Sequence, residues 1–349
     1  MNGAYAESGV DTGAADRGVA ALVSVLWTID TGRGSRSVLP SGHYAAVLEV
    51  APNLGIAVGT DGVGSKLIVA EQTGRYDTVG IDCVAMNVND IICVGAEPIA
   101  LLDYLAVEQV EPDVMEAIGV GLKAGAEAAG VEIPGGEVAV LPDLIRGHPS
   151  PHGFDLTAAC FGTVALDSLI TGAACEPGDA LIGLPSSGLH SNGYSLARAV
   201  LGPLALDARP AELGGASVAD ALLEPTVIYV RAVLELLRSE LDVRGLAHIT
   251  GGGVLNLLRL HADVGFQIDH PLPVPPVFGL VQALGEIPDA EMWEVFNMGC
   301  GFCAVVPADE AAAAVALLER HHPGAARIGT VTADADRVSV PALGLTFAG

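Results

Sequence analysis

The stretch GTDGVGSK, residues 59–66, follows the apolar run Leu54–Val58 and leads into a helical segment over 65–72. The chain therefore reads there as strand, glycine-rich loop and helix. Its glycines suit a loop that holds phosphate, yet it carries an acid, Asp61, with Lys66 close behind. Only two lysines occur in the chain, Lys66 and Lys123, so the position of one in this loop is informative. An acid beside a phosphate makes sense through a metal: the carboxylate binds Mg²⁺, the metal binds phosphate oxygens, and the lysine neutralises the remaining charge. The spacing is neither GxxxxGK[ST] nor GxGxxG. The competing reading of Lys66 is a solvated charge at a helix start.

Three further stretches carry polar groups in patterns that chemistry uses. In VGIDCVAMNVNDIICVGAEP, residues 79–98, the apolar residues Ile81, Val84, Ala85, Val88, Ile91 and Ile92 recur with helical period, which predicts a helix over 79–94 with one stripe packed inward. The opposite face gathers Asp82, Met86, Asn89 and Asp90, whose oxygens suit Mg²⁺; a plain solvated face is the alternative. IPGGEVAVLPD, residues 133–143, sets two glycines before Glu137, a turn that would bring its carboxylate close to something bulky; an ordinary turn is the alternative. LPSSGLHSNGYSLARAVL, residues 184–201, runs from a strand at 179–184 through a Ser/Gly/His/Asn loop into a helix whose start, with Ser191 as cap, would make an anion site. His190 taken alone reads more simply as a structural histidine.

Composition bounds the class. At 349 residues the chain has room for two domains, and 51% hydrophobic against 17% charged residues excludes disorder. Mean hydropathy is +0.49, but no clean apolar run reaches the roughly 20 residues of a membrane span. The start MNGAYAESGVD has no basic region followed by an apolar one, so the expected location is cytoplasmic. A formal charge of −26 repels polyanions and argues against nucleic acid. The six cysteines sit mostly in apolar surroundings, as in a reducing compartment. Cys300-Gly-Phe-Cys303 has redox-motif spacing, but with no second CxxC or thioredoxin-like context the preferred reading is buried strand thiols.

The motifs GTDGVGSK, DTVGIDCVAMNVNDIICVGAEP, LLDYLAV, GGEVAVLP, FDLTAACFG, SSGLHSNGYSLAR, PTVIYV, AHITGGG and FNMGCGF, in this order, resemble the phosphoribosylformylglycinamidine cyclo-ligase family, also called aminoimidazole ribonucleotide synthetases. The similarity runs from YAESGVD at residues 5–11 to the Cys300 region. Two departures stand out. Residues 38–50, VLPSGHYAAVLEV, replace a glycine-rich segment, and the family's GGET is here Gly135-Gly136-Glu137-Val138, without the threonine hydroxyl.

The resemblance implies a two-domain α/β fold, with an ATP- and metal-binding, dimerising domain over 1–170 and a C-terminal α/β domain over 171–349. The N-terminal sheet would form a barrel at the centre of a homodimer. The implied reaction uses ATP to close the imidazole ring of formylglycinamidine ribonucleotide, giving aminoimidazole ribonucleotide, ADP and phosphate through an imidate phosphate. On this reading Asp61, Asp90 and Glu137 bind Mg²⁺, and Lys66, His190, Ser191 and Asn192 meet phosphate. Lys66, His190 and Asp90 are the catalytic candidates, and Thr60, Gly62, Gly64, Asp82 and Asn89 complete the ATP site. The ITGGG turn at 249–253 is a weaker candidate for the ribose phosphate, with structural glycines at a tight turn as the competing reading. Relatives within the ATP-using superfamily carry other marks: a reactive N-terminal Cys for selenophosphate synthetase, a C-terminal Cys for the hydrogenase-maturation protein, and no HSNGYS or AHITGGG for thiamine-phosphate kinase. A catalytically silent nucleotide-binding homologue is the alternative from another class.

Overall fold

A computed structural model describes residues 3–9, 12–40, 42–260 and 262–349. Val10, Asp11 and Ser41, which belong to two of the stretches quoted above, lie outside them. Two sheets organise the described residues. The first holds β1 (Ala46–Ala51), β2 (Leu54–Gly62), β3 (Glu97–Val107), β4 (Glu132–Val140) and β5 (Phe154–Ala165) in the order β1-β2-β5-β3-β4. The second holds β6 (Ala180–Pro185), β7 (Gly245–His248), β8 (Gly265–Ile268), β9 (Cys300–Val306), β10 (Ala326–Thr332), β11 (Arg337–Val340) and β12 (Leu345–Ala348) in the order β12-β11-β8-β10-β6-β9-β7. Together they make a mixed α/β fold in two parts. No helix among the described residues is long and apolar enough to cross a membrane.

Central β5 shows why the first sheet has one covered face. From Phe154 to Val164 every second residue is buried, the period of a strand with one side in a core. The helices Val79–Ile92 and Pro112–Ala129 lie on that side. The other side is bare: Leu48, Leu102 and Tyr104 are 39%, 42% and 40% exposed. The helix Thr12–Leu26 and the residues after it likewise expose Val19, Leu22, Val25, Trp27 and Ile29.

The helix Val79–Ile92 departs from expectation in its surroundings rather than its period. Its polar face does not meet solvent, because Asp82 and Asn89 are fully buried and Met86 nearly so. That face docks on the C-terminal half. The segment 225–229 lies along it, and the helix that follows runs only from Val230 to Leu237. The segment's backbone groups are already used: Thr226 N–H donates to Asp82 (2.8 Å), Tyr229 N–H to Asn89 (3.0 Å), and Asn89 donates to the Val227 carbonyl (2.8 Å). Groups paired this way are unavailable to a helix ladder. The helix expected over 65–72 is a 3₁₀ turn, Gly64–Lys66, followed by a helix, Leu67–Thr73. The strands β7, β8, β11 and β12, of four residues each, give little periodic signal.

Candidate functional site

Asp61 sits near the end of β2, in register with Ala158 of β5, which pairs with Asp103 of β3, which pairs with Gly136 of β4. Its peptide is held by Asn87 on the helix Val79–Ile92. The Asn87 amide oxygen accepts from Asp61 N–H at 3.0 Å, and its nitrogen donates to the Asp61 carbonyl at 3.1 Å. The carboxylate accepts the Gly62 N–H at 2.7 Å. Burial raises the Asp61 pKa and the Asp90 charge adds to it, against the Gly62 hydrogen bond and the nearby charges of His248 and Arg259. Asp61 and Asp90 are thus brought into one electrostatic environment.

Asp90 comes from the last turn of its helix, and its Oδ1 lies 2.8 Å from Nδ1 of His248 at the end of β7. His248 is fully buried, and its Nε2 has no hydrogen-bond partner. Two residues on, the turn Thr250–Gly253 is held by Asn256, whose side-chain oxygen accepts Thr250 N–H at 2.7 Å. The Tyr44 hydroxyl donates to the Asn256 carbonyl at 2.6 Å. The Arg259 guanidinium stacks 4.2 Å from the Tyr44 ring and donates to the His43 carbonyl at 3.0 Å. Tyr44 and the His43 carbonyl, from a stretch unusual in sequence, therefore clamp this turn. Asn192 reaches the same place, with its amide 3.9 Å from Met86 sulfur and its oxygen beside Gly251.

Several sequence-derived candidates stand elsewhere. Lys66 is fully buried, and its ammonium has three partners: Asp82 at 2.8 and 2.9 Å, the His190 carbonyl at 3.0 Å and the Glu224 carbonyl at 2.7 Å. All three N–H donors are engaged, so in this geometry Lys66 and Asp82 join the two halves and neither faces a phosphate. Asn89 is spent on the 225–229 segment in the same way. His190 is buried in a left-handed backbone conformation, φ 61°. Its Nε2 accepts from Ser187 N–H (3.2 Å) and Val227 N–H (3.5 Å), so the proton sits on Nδ1. Burial, with the charges of His248 and Lys66, drives its pKa well below the ordinary 6.5. A neutral, sequestered imidazole is not a phosphate-facing cation. The Ser191 hydroxyl shares a 3.1 Å hydrogen bond with Thr226.

Strand register separates Glu137 from Asp61. Glu137 pairs with Tyr104, then Thr157, then Gly62, one position along from the Asp61 row. Neighbouring positions point to opposite faces, so Glu137 lies on the bare face, about 14 Å across three strand spacings. Thr60 shares that face and donates to the Ala158 carbonyl at 2.9 Å. Val138 returns to the helix-side face opposite Leu105 and stays half exposed at the edge. Gly62 and Gly64 flank the turn after Asp61, with φ 70° at Gly64. The acid on Asp61's own face is Asp103, whose pKa burial also raises.

His248, Asn87, Thr226, Arg259 and Asp103 carry this arrangement without having been singled out. The only local signal was the histidine opening HITGGG and the acid of LLDYLAV. Among the described residues no three of His, Cys, Asp and Glu gather to hold a metal unaided. Mg²⁺ usually takes one or two carboxylates and completes its shell with water and substrate phosphates. The Asp61–Asp90 pair, with both lysines engaged elsewhere, fits an ion of that kind.

Comparisons with known proteins place this geometry in a family. Residues 42–164 match the N-terminal domain, and 176–340 the C-terminal domain, of AIR synthase related proteins. The phosphoribosylformylglycinamidine cyclo-ligase of Methanothermobacter thermautotrophicus is 49% identical over 342 residues, 97% of each chain. That of Thermococcus kodakarensis is 48% identical over 321 residues, 91% of this chain and 92% of its own. Among solved structures, the hydrogenase maturation protein HypE in complex with ATP superposes with a TM-score of 0.62 at 22% identity, covering 87% of this chain and 86% of its own. AaThiL complexed with AMPPCP and TMP gives 0.61 at 18%, covering 86% and 87%. At these identities the solved structures speak for the fold alone. With near-half identity along nearly the whole length and both domain models matched, the chain belongs to the phosphoribosylformylglycinamidine cyclo-ligase family.

Proposed function

We propose that this ligase uses ATP to close the imidazole ring of formylglycinamidine ribonucleotide, giving aminoimidazole ribonucleotide, ADP and phosphate in purine biosynthesis. The observation that carries the reading is the 49% identity to a cyclo-ligase over 97% of both chains. ATP as co-substrate is supported by the fold shared with HypE and ThiL, whose structures hold ATP and AMPPCP. An amide oxygen leaves poorly. Transfer of the γ-phosphoryl group to it gives an imidate phosphate, the amidine nitrogen attacks the same carbon, and phosphate departs with the oxygen. The protein's work is positioning and charge neutralisation.

Asp61 and Asp90 hold the cation that accompanies ATP; when bound, Mg²⁺ neutralises and orients phosphate oxygens. His248 orients Asp90, and Asn87 orients Asp61. Asn192 and the backbone N–H groups of Gly251 and Gly252 meet substrate phosphate, while Gly253 N–H closes the turn on the Thr250 carbonyl at 3.1 Å. Lys66 holds the 186–192 loop through the His190 carbonyl and Asp82 holds it through Thr226 beside Ser191, while Asn89 holds the 225–229 segment. The division of labour falls between 1–170 and 171–349. The bare face of the first sheet pairs with a second copy in a cytoplasmic homodimer, in line with its exposed Leu48, Leu102 and Tyr104.

The test is turnover with purified protein, ATP, Mg²⁺ and formylglycinamidine ribonucleotide. Equimolar aminoimidazole ribonucleotide and ADP are expected. Tight ATP binding with no ring-closed product would overturn the reading in favour of a silent nucleotide-binding homologue.

A further inference from the structure

Strand β9 contains one residue too many for its partner. Cys303 pairs with Gly183 and Phe302 with Leu184 of β6, but Cys300 pairs with Pro185, so Gly301 is a bulge. In a regular strand residues three apart point to opposite faces. The extra residue restores parity and turns Cys300 and Cys303 to the same side. Their sulfurs stand 3.5 Å apart. The neighbouring position permits the approach: a Cβ on Gly183, the partner of Cys303, would come within 3.0 Å of Cys300 Sγ. On the reverse side Gly301 has no room for a side chain, since a Cβ there would meet the Tyr229 hydroxyl at 2.1 Å and the His190 ring at 2.6 Å. The bulge is thus held from behind.

We propose that Cys300 and Cys303 form a modification site, a dithiol that low-molecular-weight disulfides such as oxidised glutathione convert reversibly to a disulfide. Cys300 is partly exposed and Cys303 is buried, which assigns the order of events. The Cys300 thiolate attacks one sulfur of the small disulfide, forming a mixed disulfide and releasing one thiol. Cys303 loses its proton and attacks the Cys300 sulfur, closing the protein disulfide and releasing the second thiol. Two electrons and two protons pass from the dithiol to the oxidant. The sulfurs need to close from 3.5 Å to about 2.05 Å. An apolar cavity of about 10 Å³, lined by Ile249, Val254, Leu257, Met298 and both cysteines, adjoins them. The other four cysteines are buried, and burial holds the thiols of Cys160 and Cys175 up at about 12. They compete poorly for the oxidant. The Cys303 thiol is also raised, chiefly by its hydrogen bond with Cys300, and so acts only second, on the Cys300 mixed disulfide beside it.

The site is read in native protein treated with oxidised glutathione, then denatured and alkylated with N-ethylmaleimide. The expected product is lighter than reduced protein by about 2 Da before alkylation. Its Cys300 and Cys303 escape alkylation within one internally linked peptide, the other four cysteines are alkylated, and dithiothreitol reverses the change. Cys303→Ser should stop at a glutathione adduct on Cys300, and Cys300→Ser should take up no glutathione. Six alkylated cysteines in the wild type, a persistent wild-type adduct, or a link from Cys303 to Cys93 would each overturn the assignment. None of these outcomes depends on the ring-closing activity.

Discussion

The ammonium of Lys66 and the carboxylate of Asp82 meet at 2.8 Å with neither side chain reached by solvent. The pair joins the end of the phosphate-like loop to the helix Val79–Ile92, and both partners also hold the 190–226 region. Removing one charge from a buried pair strands the other, which typically costs about 3–5 kcal/mol. Lys66→Met is therefore expected to lower stability in urea by that amount and to lower the melting temperature. The double change Lys66→Met with Asp82→Leu should lose less than the two single losses summed, a coupling that a double-mutant cycle measures. A Lys66→Met protein of normal stability with a selectively raised KM for ATP would return Lys66 to the phosphate site.

Asp61 is expected to trade stability for function. Its folded pKa is raised above the ordinary 3.8, chiefly by burial. The native state then binds the proton more tightly than the unfolded chain. Stability is fully present below 3.8, falls as pH rises through the window up to the folded value, and stays lower at neutral pH. Asp61→Asn should stabilise the protein at neutral pH, lose that advantage in acid, and abolish turnover. Melting curves at both ends of the window, with one activity measurement, decide the matter.

His248 positions Asp90 through its Nδ1. His248→Ala should weaken Mn²⁺ binding, read by electron paramagnetic resonance, and raise the KM for metal–ATP more than that for the amidine substrate. His248→Asn keeps a donor near the Nδ1 position and should recover part of both. Equal losses in the two variants would mean that the ring only fills space.

His190 is a buried neutral base, and the sign of its pH effect follows. With a folded pKa well below 6.5, stability is fully present above 6.5 and is lost as pH falls below it toward the folded value. His322, pushed down to about 4 mainly by burial, acts in the same window. Wild type should lose more stability than His190→Gln between about pH 7.5 and about pH 5. His190→Ala leaves two backbone N–H groups unpaired and should cost roughly 1–3 kcal/mol at neutral pH. A small stability change together with a large fall in kcat would instead put His190 among the reacting groups.

Leu102 lies on the bare face of the first sheet, 42% exposed. Leu102→Glu places a charge at the proposed centre of the homodimer and should yield a monomer in sedimentation, with melting temperature depending less on concentration. A variant that sediments like wild type would remove this face from the interface.

Local pattern carried much of this protein. The period of the helix Val79–Ile92 is a property of neighbouring residues, and the structure repeats it closely. The ordered motifs likewise contained the family. Partners across the chain were a different matter. Asp61, Asp90 and Glu137 looked equivalent as acids beside glycines or amides. Strand register sets Glu137 on the opposite face, while Asp103, unremarkable in sequence, shares the face of Asp61. Lys66 looked like a phosphate ligand because its loop does. It is a buried strut because residues 224–229 dock against the helix Val79–Ile92 and consume its charge. Even Cys300 and Cys303 depend on a bulge that no spacing rule anticipates. Periodicity is decided by the chain's own geometry over a few residues and is legible from sequence. Facing, pairing and burial of polar groups are decided by register and docking between distant segments, and only the tertiary structure determined them.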